Sequence, residues 1–131
     1  MTKLTNWPQL LAETIKAAKK RPFLWGETDC CLFAADCAIA QTGVDPATSY
    51  RGRYKTALGA NRLIKAAGGL TALLDSHYSR VDPRLAQRGD LALFDGPYGE
   101  TVGVVFSGIW APTEQGVSLI DIAPKLMWRV E

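Results

Sequence analysis

The chain has 131 residues, of which 47% are apolar and 21% charged, and its 15 Lys+Arg against 13 Asp+Glu leave a net charge of +2. This length predicts one domain over residues 1–131, able to bury about two thirds of its unfolded surface without a metal or disulfide. The cationic surplus is too small to make nucleic acid or an anionic lipid surface the expected partner.

Met1 to Lys20 hold no continuous apolar stretch of the secretory type. Synthesis and folding are therefore expected in a reducing cytoplasm, where free thiols are ordinary. The first predicted helix is entered at Asn6, a good capping residue, with Pro8 in its first turn, where a missing N–H costs little. Trp7, Leu10, Leu11, Ile15 and Ala18 then form one apolar stripe, which stops at Lys19-Lys20-Arg21-Pro22. A second helix is predicted to start at Thr28-Asp29, to run from Cys30 to about Gln41, and to stop at Thr42-Gly43. It is apolar almost all round, which predicts a central, buried position. Asp36 is the exception and requires a partner or a path to solvent. A third helix is expected from Thr56 to Ala67, ending in Gly68-Gly69, and a short fourth from Leu70 to Ser76.

The period changes in the second half. Asp90 to Phe94 reads as a strand, Asp95 to Gly99 (through Tyr98) as a turn, Thr101 to Ser107 as a second strand and Val117 to Asp121 as a third. Trp128-Arg129-Val130 reads as an edge strand. Helices followed by antiparallel strands make the α+β class. The longest uncharged run, Thr101 to Thr113, is well short of the roughly 20 apolar residues of a membrane span.

Three cysteines, Cys30, Cys31 and Cys37, and one histidine, His77, set the chemical options. Seven residues along one helix separate the Cα atoms of Cys30 and Cys37 by roughly 10 Å. A disulfide needs less than about 7 Å, and a shared tetrahedral zinc needs sulfurs about 2.3 Å from the metal, so neither is expected. No metal and no cofactor are predicted. Cys30 stands where a helix's first turn favours thiolate, directly after the candidate cap Asp29 and close to Trp25-Gly26, whose glycine allows close backbone approach. A nucleophile and a plain core cysteine both fit that position. Cys37, two turns in, reads as core.

Phe23-Leu24-Trp25-Gly26-Glu27-Thr28-Asp29-Cys30 resembles the NlpC/P60 branch of papain-like cysteine peptidases, in which an Asp-Cys pair opens a buried helix. Gln87-Arg88-Gly89-Asp90-Leu91-Ala92-Leu93-Phe94 is similar to their Gly-Asp-Leu strand. Together with Gly43-Val44-Asp45, Tyr50-Arg51-Gly52-Arg53-Tyr54 and Trp128-Arg129-Val130, the pattern resembles a small family of uncharacterised phage and prophage proteins encoded among tail genes. The resemblance implies a papain-like NlpC/P60 fold, with the Cys30 helix packed on a C-terminal antiparallel sheet and Cys30 as actual or vestigial nucleophile. The strand that opens with His-Val-Gly in active members here reads Thr101-Val102-Gly103, so Thr101 stands where the base is expected. Threonine accepts no proton near neutral pH. His77, in Asp75-Ser76-His77-Tyr78, lies outside that position and is a candidate substitute base.

Trp25 and Asp29 beside Cys30, with Arg51 and Arg53, are the candidate groove or partner-contact residues, because guanidinium grips carboxylates in a bidentate fork. The function so implied is a structural component of a tailed-phage tail tip or baseplate, assembled in the bacterial host cytoplasm and carried in the virion. Other tail proteins are its expected partners. Two alternatives stay open: an active cysteine endopeptidase that cuts peptidoglycan stem peptides during genome entry, and a non-catalytic module that binds cell-wall peptide.

Overall fold

The computed structural model describes residues 3–97 and 99–131 as a mixed α+β arrangement. The expected turn through Tyr98 therefore falls partly outside the described residues. Four helices come first: α1 (Trp7–Ala18), α2 (Cys30–Thr42), α3 (Ala57–Ala66) and α4 (Leu70–Asp75). Six strands follow: β1 (Ser79–Val81), β2 (Leu91–Gly96), β3 (Gly99–Val105), β4 (Ile109–Thr113), β5 (Gly116–Ile120) and β6 (Leu126–Arg129). They form one sheet in the order β1-β6-β2-β3-β4-β5, and each paired neighbour is antiparallel.

Helix α2 is central, as its all-round apolar sequence demands. Leu32, Phe33, Ala34, Ala35, Cys37 and Ala38 are buried, and α1 presses Leu11 and Ile15 into the same core. From the sheet come Leu91, Leu93, Val102, Val104 and Trp128. A fully enclosed Leu such as Leu11 contributes about 1.5–3 kcal/mol through burial alone. Asn6 does precede α1, but its side chain makes no capping bond.

Two strands were not expected. β1 is three residues long, too short to show alternation, and β4 contains Pro112, which argues against a strand in sequence. The register explains why proline is tolerated. β3 and β4 pair only at Val104–Trp110 and Val105–Ile109, so beyond Trp110 β4 has no neighbour on its β3 side. β1 in turn covers β6, which places Trp128-Arg129 between β1 and β2 rather than at an edge.

The Gly-Asp pair before β2 is a bulge. The Gly89 amide donates to the Val105 carbonyl and the Val105 amide to the Asp90 carbonyl, so two residues face one. Gly89 takes φ +93, and a Cβ there would collide with the Gln41 side chain, whose amide donates to the Gly89 carbonyl at 3.0 Å. Asp90 is fully buried and accepts both arms of the Arg129 fork at 3.0 Å. The Gly-Asp-Leu stretch thus fixes the far end of α2 against the sheet.

Candidate active site

At the other end of α2, Asp29 caps the helix: its Oδ1 accepts the Leu32 amide at 3.0 Å. Its Oδ2 accepts the Gly26 amide at 2.9 Å and the Tyr54 hydroxyl at 2.5 Å. Asp29 is buried, and these three donors satisfy its carboxylate. Gly26, at φ +82, lets the chain pass against the Tyr54 carbonyl, where a Cβ would not fit. Burial and donation to Asp29 both hold the Tyr54 phenol well above the usual tyrosine range.

Cys30 follows as the first residue of α2. The Cys31 thiol hydrogen-bonds to its sulfur, and the Val102 and Cys31 amides donate to it as well. Together these hold the Cys30 thiol below the ordinary range, against burial and the Asp29 charge. The Val102 donor follows from sheet geometry. Val105 points its amide to β2, so by alternation Val102 points its own toward β4, two residues past the last β3–β4 pair. Past the end of that ladder, the Val102 N–H is one of the groups that lower the Cys30 thiol. Cys31 moves the opposite way: its bond to Cys30 and its burial raise it well above the usual thiol range. Cys37 is likewise pushed up by burial, as expected for a core cysteine. All three cysteines are free thiols.

Cys30 opens onto a cavity of about 290 Å3, bounded by α2, α3, α4 and β3. Trp25, Asp29, Cys31, Tyr50, Tyr54, His77, Tyr78, Glu100 and Val102 line it, with Leu63, Ile64, Leu70, Leu73 and Leu74 as the apolar wall. Burial pushes the Tyr78 phenol up to about 12. The only histidine and the candidate nucleophile therefore share one cavity. Among the described residues, however, His77 makes a ring contact with Tyr78 at 6.0 Å and no hydrogen bond to Cys30.

Thr101 is not among the cavity residues. It pairs with Phe94, donates its hydroxyl to the Gly99 carbonyl at 3.1 Å, and alternates to the sheet face opposite Val102. On the cavity side, β3 presents Val102 and Glu100 instead. The two arginines also lie elsewhere. Arg51 bridges Asp36 and Asp45, each at 2.8 Å, which supplies the partner that Asp36 needed in α2. Arg53 donates to the Ser49 carbonyl at 3.2 Å from an exposed position. Neither lines the cavity. Sequence reasoning missed Cys31 as a partner for Cys30, because the helix wheel separates adjacent side chains by a quarter-turn. Tyr54 enters the sequence reading only within the Tyr50-Arg51-Gly52-Arg53-Tyr54 stretch, and its bond to Asp29 spans 25 positions. The described residues contain no group of three His, Cys, Asp or Glu able to hold a metal ion, and no helix long and apolar enough to cross a membrane.

A family model described as a domain of unknown function, DUF6950, matches residues 2–130. No curated protein matches the chain.

Proposed function

The chain therefore belongs to the DUF6950 family, and we propose that it is a structural component of a tailed-phage tail tip, built on a papain-like NlpC/P60 frame whose hydrolytic site is degenerate. The observation that carries this reading is the environment of the Cys30 sulfur. Thr101, where the base is expected, lies on the opposite sheet face, and among the described residues the one imidazole, His77, lines the cavity without a hydrogen bond to Cys30 through which to take or return a proton. Peptide hydrolysis needs such a group, because an amine leaves only when protonated. The frame itself is supported by the motif order in the sequence and by the placement of the cysteine at the start of a buried helix against an antiparallel sheet.

One observation favours a second reading, that of an active peptidoglycan endopeptidase: His77 lines the Cys30 cavity. The test is digestion of peptidoglycan sacculi by the purified chain, beside Cys30→Ala and His77→Ala. The expected result is no release of stem-peptide fragments by any of the three, with the protein detected in purified virions and Cys30→Ala phage still infectious. Fragment release by the wild type that is lost in both variants would overturn the structural reading and assign His77 as base. Saturable binding of sacculi without cleavage would instead replace it with a wall-peptide binding module.

A further inference from the structure

The two edges of the sheet are unlike. β1, at one edge, is three residues long and carries Arg80, so shortness and charge both guard it. β5, at the other, runs from Gly116 to Ile120 with no charged side chain and no proline, and its Leu119 is 56% exposed. The pairing with β4 decides which backbone groups of β5 stay open. Pro112 has no N–H, so its pair with Val117 is a non-hydrogen-bonded one, and Ala111–Ser118 and Ile109–Ile120 are the bonded pairs. Val117 and Leu119 therefore turn their N–H and C=O groups away from β4. Among the described residues, neither makes a backbone hydrogen bond on that side.

Charge is arranged along the same edge. A Cβ on Gly116 would meet the Lys19 carbonyl, so the basic end of α1, Lys19-Lys20-Arg21, lies beside the start of β5. Asp121 follows the other end of the strand. Lys20 and Asp121 are both exposed, and neither has an ion-pair partner among the described residues. Antiparallel pairing of two identical strands reverses one of them, and so sets the basic start of β5 against Asp121 of the second copy, once on each side of a two-fold axis.

We propose that β5 is a self-association edge, through which two copies of this chain pair antiparallel about a two-fold axis at Ser118 and join their six-stranded sheets into one. In this register Val117 stands opposite Leu119 of the second copy. The open N–H groups of both strands then find carbonyls, and each exposed leucine gains an apolar cross-strand neighbour. The occupant is a second copy rather than a foreign strand because the edge carries its own charge complement, Lys20 opposite Asp121. The inference concerns the purified chain and stands whether or not the protein belongs to a tail.

The full chain is followed by sedimentation velocity and amide hydrogen exchange from about 1 μM to about 1 mM. The expected result is a reversible monomer–dimer equilibrium, with exchange at the Leu119 amide slowing about ten-fold as the dimer fills. Leu119→Pro deletes the outward N–H and leaves the β4 ladder intact, since an edge strand accepts proline where its nitrogen faces outward. It should stay monomeric throughout, and Leu119→Lys serves the same purpose if the proline variant does not fold. Lys20→Glu and Asp121→Lys should each weaken the dimer about five-fold, and their combination in one chain should restore it to within about two-fold of the wild type. A wild-type chain that is monomeric at every concentration leaves the edge to a foreign strand and overturns the proposal. A dimer that survives both Leu119 variants, or a doubly reversed chain no tighter than the single variants, overturns it equally.

Discussion

Helix α2 has two unlike flanks. Toward α1 and the sheet it is packed solid: Leu11, Cys37, Ala38, Val104 and Trp128 are wholly enclosed. Toward α3 the contact is thin. Ala60 is the one buried residue of that helix, Leu58 faces solvent at 61% exposure, and a cavity fills the gap. One flank fixes where the cysteine sits; the other keeps space in front of it. A close-packed core on both sides would have given a more stable helix and no site.

The comparison is broken or sharpened by four substitutions. Trp128→Ala removes a fully buried ring whose indole also donates to Asp75 at 2.8 Å. It should cost about 3–5 kcal/mol in denaturant unfolding. Arg129→Met leaves the Asp90 carboxylate buried without its fork. Because Arg129 keeps 23% of its side chain in water, the expected cost is about 2–3 kcal/mol, below the range for a fully enclosed pair. Leu73→Ala, on the hollow flank, should cost only about 1 kcal/mol, since its neighbours already border space. A cost equal to that of Trp128→Ala would mean the cavity closes in solution. Cys31→Ala should scarcely change stability but should raise the pH midpoint of Cys30 alkylation, because the leading donor to its sulfur is gone. An unchanged midpoint would leave the Val102 amide as the main cause.

Acid should act at the Asp75–Trp128 contact, which joins α4 to the sheet. Bonds from Arg80 and then Trp128 lower the Asp75 carboxyl to about 2, below the roughly 3.9 of an unfolded aspartate. A depressed native value stabilises the fold fully above the unfolded value, and the contribution is lost as pH falls through about 2. In Trp128→Phe, that lower limit should move upward in an acid titration followed by circular dichroism.

Much of this was legible along the chain, and the reason is locality. The four helices announce themselves through apolar spacing and through breakers such as Pro22, Gly43 and Gly68-Gly69, all set within a few residues of what they govern. Asp29 and Cys30 at the start of α2 belong to that class, as does the need of Asp36 for a partner. What stayed hidden depends on neighbours far away in sequence. β1 becomes a strand only because β6 lies beside it, and β4 tolerates Pro112 only because its pairing with β3 has already ended. Thr101 was assigned by motif alignment, whereas which residues of β3 meet α2 is a matter of register, and register selects Val102. Arg51 read as a groove or partner-contact residue because the two carboxylates of its own chain that converge on it cannot be seen in a linear string.

The insertion of β6 between β1 and β2 has a consequence for how the molecule is made. Residues 126–129 are synthesised after every other strand of the sheet, yet they occupy one of its interior places. Until they emerge from the ribosome, β1 and β2 have nothing between them, Asp90 lacks its guanidinium and Trp128 has not filled the core. The cysteine helix is complete long before the wall that backs it. Such non-local closure raises contact order and slows folding, because an interior place of the sheet is filled only by its last-made strand.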